Sequence, residues 1–331
     1  MAERTRLSSR ALAAPLALAA AMLALPYVAT ALGQPALTPL ATRALIYAIA
    51  AASLNLALGH GGLVSFGHAA FFGLGGYVVA ILYRAQTGDE PVFGLIPGET
   101  RLLVTAPLAM LVAAAFAAAI GALSLRTSGV QFIMITLAFA QMLFFLFASL
   151  KAWGGDDGLI VRRRNTLFDL DMRDDTTFYF VTLAAAALVA FALRRIAASR
   201  FGMALGGLRQ NEARMAAIGV EPYRYRLVAF VLSGAGCGLA GALMANYARF
   251  VSPDMLHWTK SGELMIMVIL GGVGTLAGPF LGAFAFVALE TFLAAWTEHW
   301  KILLGAILLA VVLFTRGGLR AALMRILRLR A

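Results

Sequence analysis

The sequence has one cysteine and few charged residues. Cys237 stands alone, so the chain cannot close a disulfide within itself or hold a metal in a cysteine cluster. Asp, Glu, Lys and Arg make up 13% of the 331 residues and apolar residues 61%, whereas soluble proteins average about 25% charged residues. A soluble fold of this length cannot bury so much apolar surface. These shortages exclude soluble enzymes, disordered chains and disulfide-rich secreted scaffolds.

The chain also lacks a nucleotide-binding loop of the GxxxxGK[ST] form, so ATP-driven transport would need its motor in another chain. The net charge of +11 would suit a nucleic-acid partner. In a membrane protein, however, basic residues first report orientation. We therefore expect no nucleic-acid partner, no cofactor, no resident metal and no catalytic residue.

Long apolar runs dominate what is present, and the mean hydropathy is +0.85. A helix of roughly 20 apolar residues crosses the hydrocarbon core of a bilayer. The pattern predicts an all-α polytopic membrane protein, a single transmembrane domain over 1–331 with about ten spans. The eighth span is too short unless it uses part of the preceding loop. The predicted spans are 11–32, 43–58, 66–83, 102–123, 129–149, 178–193, 224–245, 262–273, 278–295 and 302–315.

The distribution of charge predicts the orientation of these spans. With both termini in the cytoplasm, 16 of the 27 basic residues but only three acids lie in cytoplasmic segments, as the positive-inside rule requires. Loop 194–226 is then cytoplasmic and loop 150–177 periplasmic. The first run has an alternative interpretation as a cleaved signal peptide; its length, about 22 residues, favours a retained span.

Seven glycines lie between residues 59 and 76. Glycine costs about 1 kcal/mol relative to alanine inside a helix, but in a membrane it permits close helix contact or a non-helical segment beside a cavity. Two interpretations stay open. In one, the stretch only packs helices, with Gly73 on a face of small residues that recur every fourth position from Ser65. In the other, Asn55, Ser65 and His68 line a translocation path. A proton relay through His60 or His68 is a third, less favoured interpretation, because no acidic partner lies nearby in the sequence.

Two later glycine-rich stretches carry the same ambiguity. Gly234 and Gly238 form a small-xxx-small stripe, which indicates helix packing. Gly271 and Gly272 interrupt an apolar run before Pro279, a residue that suits the first turn of a helix. They predict a tight turn at the membrane surface or, alternatively, part of the substrate pathway.

Two acidic residues lie within or at the edge of predicted spans. An acid in hydrocarbon costs at least a few kcal/mol, so it needs a partner or water. We expect Glu263 at the outer interface beside Lys260, and Glu290 near Lys301 or a water-filled cavity.

The basic loop 194–226 contains a predicted short helix. Asn211 is a suitable N-cap for Glu212–Ile218, and Gly219 suits the position that ends the helix. Such a helix beside the membrane could fill a groove in a partner protein. The alternative is an ordinary basic loop held by lipid headgroups.

Together, these motifs resemble the permease subunits of branched-chain amino acid ABC importers, the LivM family. The resemblance covers about residues 45–320 and rests on six segments in order: Leu54–Tyr77, Ser128–Met142, Gly154–Leu159, Arg200–Tyr225, Phe250–Pro279 and Thr297–Trp300. It implies the ABC importer permease fold in the bacterial inner membrane. It also implies a second permease subunit, often forming a heterodimer, two cytoplasmic ATPase subunits and a periplasmic substrate-binding protein.

By position, Asn211–Gly219 corresponds to the family's cytoplasmic coupling helix, although Gly206-Gly207 depart from the more helix-favouring residues usual before it. The resemblance thereby assigns ATPase coupling to Arg209, Asn211, Glu212, Ala213, Ala217 and Gly219.

The expected function is alternating-access import of branched-chain amino acids. A permease for urea, short amides or other amino acids of the same class is the main alternative. An ion-coupled secondary transporter would need more intramembrane ionisable groups than this chain has.

Overall fold

The computed structural model describes residues 9–88, 91, 94, 97–168, 170–314, 318, 319 and 321, with side chains described from residue 20 and, in the last helix, to residue 311. Several predictions fall outside these residues. They concern the basic residues before residue 9, Asp89, Glu90 and Asp169, and all five C-terminal arginines. The cytoplasmic location of both termini therefore stays a prediction.

The described part of the chain forms twelve α-helices and one two-stranded sheet. The helices are α1 (Ser9–Ala31), α2 (Leu37–Asn55), α3 (His68–Gly88), α4 (Leu102–Ser124), α5 (Val130–Ser149), α6 (Asp175–Ala197), α7 (Arg200–Gln210), α8 (Glu212–Ala217), α9 (Pro222–Ala248), α10 (Trp258–Gly271), α11 (Gly278–Trp296) and α12 (Trp300–Phe314). The strands are β1 (Leu159–Ile160) and β2 (Phe250–Val251), which pair antiparallel.

Ten of these helices coincide with the ten predicted spans, and the all-α class is confirmed. Seven are long and apolar enough to cross a bilayer: α2 to α6, α9 and α11. Shorter apolar segments lie in α1 and α12. The remaining helix, α10, has only 14 residues, too few to cross a bilayer by themselves. It begins at Trp258, four residues before the predicted eighth span.

α9 is the central helix and packs against α2, α3 and α4. About 89% of the apolar part of α2 and 83% of that of α3 are buried inside the protein, against 28% for α5 and 22% for α6. The exposed surface of α5 and α6 is nonetheless apolar, for example at Met142, Phe145 and Leu188. Water is a poor solvent for such a surface and lipid a good one.

Two non-helical segments enter the helix bundle. α2 continues through a π-helical turn at Leu56–His60, after which residues 61–67 run without helix to α3. The expectation that Ser65 shares a helix face with Gly73 is therefore wrong, because α3 begins only at His68. The His68 imidazole lies 2.8 Å from the Ser233 hydroxyl near the middle of α9, so α3 begins inside the bundle.

The second non-helical segment, residues 249–257, leads from α9 to α10 and includes β2 and the 3₁₀ turn Pro253–Leu256. Leu256 is fully buried against α3. Each segment thus connects two helices of the bundle, but the two enter from opposite ends. The helix pairs α2–α3 and α9–α10 therefore have opposite orientations in the bundle. The two glycine-rich turns are not related to each other in this way.

The ends of the helices define two faces of the protein. The α7–α8 face carries residues 125–129, 198–221 and 272–277; Tyr223 at the start of α9 donates to the Ala122 carbonyl there. The opposite face carries 97–101, 150–168, 170–174 and 249–257. These are joined by β1–β2 and by backbone bonds from the Thr166 N–H to the Thr100 carbonyl and from the Leu102 N–H to the Thr166 carbonyl.

α1 packs against α6 close to this opposite face. The Tyr179 hydroxyl donates to the Met22 carbonyl at 2.7 Å, and the Tyr27 and Phe180 rings lie 6.2 Å apart. This packing gives the first apolar run a place in the folded bundle.

Candidate functional site

The two short helices of the α7–α8 face are defined by capping residues. The Ser199 side chain accepts from the Gly202 N–H at the start of α7, and α7 continues through Gly206-Gly207. The Asn211 side chain accepts from the Arg214 N–H at 2.9 Å and begins α8. Gly219 follows the helix with a φ of +89°, a conformation that glycine adopts without strain. The predicted helix is present and one residue shorter than expected.

α8 is exposed on nearly all sides. Its contacts with the rest of the chain include an ion pair between Glu212 and Arg226 at 2.9 Å and packing of Met215 against Gly207. Ile218 is 70% exposed and Met203 on α7 65%. Large apolar side chains beside charged ones on a protruding helix are typical of a surface that another protein covers.

Arg209 connects this exposed element to the helix bundle. Its guanidinium donates to the Gly59 carbonyl in the π-helical turn that ends α2. The aliphatic part of the same side chain lies against Gly62, and its guanidinium lies beside Gly274. The last turn of α7 therefore contacts both glycine-rich turns of the chain.

Asn55 joins the same two turns from inside the bundle. Its amide nitrogen donates to the Thr275 carbonyl, and its amide oxygen accepts from the Gly274 N–H, both at 2.9 Å. The side chain is only 3% exposed. The Asn55 amide, the Thr275 carbonyl and the Gly274 N–H are hydrogen-bonded together and shielded from water. A displacement of α2 at this point must therefore carry the 272–275 turn with it.

The other residues predicted to line a pathway also lie in the packed interior of this structure. Ser65 and His68 are fully buried. The Ser65 hydroxyl accepts from the Gly67 N–H, and the Ser233 hydroxyl that contacts His68 donates to the Ser53 carbonyl. These bonds hold the non-helical segment 61–67 in place. A pathway role for Asn55, Ser65 and His68 stays a proposal.

The glycines at the end of α10 form the expected turn. A side chain at Gly271 would collide with the Gly278 carbonyl of α11, and Gly272 has a φ of +120°. Gly271 and Gly272 thus bring α10 and α11 together on the α7–α8 face. A pathway role for Gly271 and Gly272 likewise stays a proposal.

The three glycines assigned to helix packing lie at close contacts. Gly73 faces Leu256 of the second non-helical segment, Gly234 faces Ala117 and Phe71, and Gly238 faces Ala113 and Ala109 of α4. A methyl group at any of these positions would overlap a neighbour.

Two ion pairs lie within the bundle near the opposite face. Lys260 pairs with Glu263 at 2.7 Å, as expected. Glu290 pairs with Arg43 at 2.5 Å and not with Lys301, whose ammonium lies over the Trp300 ring. Arg43 was not among the residues predicted from the sequence. The available signal was that Arg43 and Glu290 are charges of opposite sign, each isolated in an apolar stretch.

The opposite face also contains a basic cavity of about 680 Å³. Arg84, Arg162 and Arg163 line it, and all three are exposed. Arg164 is buried behind them, where it pairs with Asp175 at 2.5 Å and donates to the Met172 carbonyl. Ile160 of β1 also lines the cavity, and Phe250 lies opposite Ile160 on β2; both side chains are exposed.

The comparisons with known proteins agree with this architecture. The family model described as branched-chain amino acid transport system / permease component matches residues 36–312. The high-affinity branched-chain amino acid transport system permease protein LivM of Salmonella typhimurium is 29% identical over 304 residues, which cover 85% of this chain and 69% of that protein. LivM of Escherichia coli K12 is 28% identical over the same shares.

A more distant similarity is partial. The autoinducer 2 import system permease protein LsrC of Enterobacter sp. 638 is 33% identical over 150 residues, 41% of each chain. No solved structure matches the chain. The family match covers all helices from α2 to α11 and includes both glycine-rich turns and the α7–α8 element. The chain belongs to the family of branched-chain amino acid transport permeases, the non-enzymatic membrane components of ABC importers.

Proposed function

We propose that this chain imports branched-chain amino acids across the bacterial inner membrane as one of two permease subunits, often different chains, in an ATP-driven transporter. Two ATPase subunits would bind the α7–α8 face in the cytoplasm, and a periplasmic binding protein the opposite face. The observation that carries the proposal is the exposed helix α8, joined through Arg209 to the turns that end α2 and α10.

The contacts of Arg209 suggest how ATP binding is coupled to transport. A docked ATPase moves α8 and α7 as one body, because Met215 packs on Gly207 and the two helices share Asn211. Arg209 then pulls on the Gly59 carbonyl, and Asn55 transmits the displacement to the 272–275 turn. A partner shifts a two-state equilibrium only if it binds one state more tightly, and α8 is the element through which the ATPase would do so.

Charge supports the orientation. Loop 194–226 carries Arg194, Arg195, Arg200, Arg209 and Arg214, as the positive-inside rule expects of a cytoplasmic segment. The exposed Arg84, Arg162 and Arg163 on the other side suit acidic side chains of a binding protein. Arginines beside exposed apolar residues such as Ile160 and Phe250 are typical of protein-binding surfaces.

The test separates docking from transmission with two substitutions in cells that express the whole transporter. Ile218→Glu places a charge on the exposed end of α8 and should release the ATPase subunits on purification, whereas Ile218→Leu should retain them. Arg209→Met should retain the ATPase subunits but lose leucine uptake. Membrane levels of each variant serve as the folding control. Wild-type uptake by Ile218→Glu with the ATPase still bound would overturn the proposed docking site.

A further inference from the structure

Four charged side chains form a cluster at one place in the bundle, on three different helices. Arg43 of α2 pairs with Glu290 of α11 at 2.5 Å, and Lys260 pairs with Glu263 within α10 at 2.7 Å. Tyr47 joins the pairs: the Lys260 ammonium lies 3.5 Å from its hydroxyl, and the Arg43 guanidinium lies 5.6 Å from its ring centre. We call these five residues the charge cluster.

The charge cluster lies inside the apolar part of the bundle. Arg43 is six residues from the start of α2, and Glu290 is six residues before the end of α11. At 1.5 Å per residue each is about 9 Å from its helix end. The partner helices around them are apolar, so these charges lie below the level of the surface loops on the opposite face.

The four charged side chains are nevertheless only partly covered. Their exposed fractions are 26% for Arg43, 19% for Glu290, 28% for Lys260 and 22% for Glu263. A single charge that faces lipid costs about 2.5–3.5 kcal/mol or more, and here four share one patch. We therefore expect this patch to face a water-filled space between this subunit and its partner, and not the acyl chains of the lipid.

Below the charge cluster, α10 presents a partly exposed apolar stripe. Ile266 and Ile269 follow Glu263 at helical spacing, and Ile269 is 41% exposed. Val273, in the turn that follows the helix, is 38% exposed. The stripe runs from the charge cluster to the glycine-rich turn on the α7–α8 face. Charged groups at one end and aliphatic surface along the rest match a molecule with one charged end and an apolar side chain.

We propose that the charge cluster binds the ammonium and carboxylate groups of a zwitterionic amino acid on its way through the transporter. The substrate carboxylate would bind Arg43 and Lys260, and its ammonium would bind Glu290 and Glu263. Guanidinium carries five N–H donors and each carboxylate about four acceptor positions, so the observed ion pairs leave capacity for a ligand. The inference rests on the proposed function and narrows it, because urea and short amides carry no matching charges.

The first experiment distinguishes a ligand site from a structural ion pair. Arg43→Met with Glu290→Leu replaces the pair by apolar groups of similar size, a change that folded proteins tolerate well. Arg43→Glu with Glu290→Arg restores an ion pair in the reverse order. We expect both double variants to raise the KM of leucine uptake roughly tenfold or more, where each factor of ten corresponds to about 1.4 kcal/mol. Wild-type KM in either double variant would overturn the site.

A second pair of variants keeps the test decisive if the double variants do not fold. Lys260→Met should raise the KM in the same way, whereas Lys301→Met, which removes a cation outside the charge cluster, should leave leucine uptake unchanged. Equal effects of Lys260→Met and Lys301→Met would refute the proposal. If the wild-type transporter imports no zwitterionic amino acid, the proposed function is wrong. If it imports one and Lys260→Met leaves the KM unchanged, only the proposed site is wrong.

A phosphatidylethanolamine headgroup carries both charges too. The wild-type KM for leucine, measured in vesicles with and without this lipid, separates the two sources. A KM independent of the lipid supports a site for the transported amino acid. A KM that follows the lipid content would assign the charge cluster to the headgroup and overturn the proposal.

Discussion

The close packing of α9 against α4 gives a quantitative prediction for Gly238→Ala. A methyl group on Gly238 would overlap the Ala113 side chain and come within 2.9 Å of the Ala109 carbonyl oxygen. On the other side, Gly75 of α3 lies against the Gly238 backbone. α9 therefore cannot move away from α4 without pressing on α3, and the helices must separate by a substantial fraction of an ångström.

The expected cost follows from the contacts that such a separation weakens. A gap of about 0.5–1 Å forfeits a quarter to a half of each contact energy, and a tightly packed region the size of a buried leucine makes roughly 40–60 contacts of about 0.1–0.2 kcal/mol. The product is about 1–6 kcal/mol. Gly238→Leu adds further volume and should lower the yield of folded protein as well.

The assay is unfolding of the purified protein in detergent. Gly238→Ala should unfold at a clearly lower temperature than wild type, and adding Ala113→Gly, which removes the opposing methyl group, should recover part of the loss. Gly305→Ala in α12 is the matched control, because nothing lies within 4 Å of the added methyl group. An unchanged melting temperature for Gly238→Ala would refute the packing argument, as would a loss of the same size in Gly305→Ala.

Two further predictions concern helix caps. Asn211→Ala removes the N-cap of α8 and should destabilise that helix by about 1 kcal/mol. The assembled transporter should then show a lower rate of leucine-stimulated ATP hydrolysis, whereas Asn211→Asp should behave like wild type. Equal rates for the two variants would contradict the role of the cap. At the start of α6, the backbone N–H of Thr177 donates to the Asp174 carboxylate and lowers its pKa. Since the folded-state pKa lies below the ordinary value of about 3.9, the stabilisation is complete at neutral pH and is lost as the pH falls through the folded-state value. The difference in melting temperature between wild type and Asp174→Ala should therefore be present at pH 7 and shrink below about pH 4; a difference independent of pH would show that the carboxylate charge contributes nothing.

Patterns local in the sequence predicted most of the helices. Each span from 102–123 to 224–245 lies within a few residues of its helix, because a long apolar run can satisfy its backbone in lipid only as a helix. The N-cap at Asn211 and the left-handed residue at Gly219 were also predictable, since capping depends on residues within one turn.

Contacts distant in the sequence were not predictable in the same way. Hydropathy marks apolar residues but does not distinguish a helix from buried non-helical chain, so segment 61–67 was partly assigned to a helix. Glu290 was expected near Lys301, a neighbour along the chain, but its partner Arg43 is 247 residues away. Arg209 was assigned to coupling by resemblance, yet its bond to Gly59 spans 150 residues.

The sequence alone determined that this chain is a membrane-embedded bundle of about ten helices with a basic loop that contains a short capped helix, because hydropathy, charge bias and helix capping act over one or a few turns. Only the tertiary structure decided which charges pair within the bundle, where the chain leaves the helical path, and that Arg209 and Asn55 connect α8 to both glycine-rich turns. Such contacts depend on how helices far apart in the chain fit together, and the close approach that glycine permits becomes informative only when the opposing surface is known.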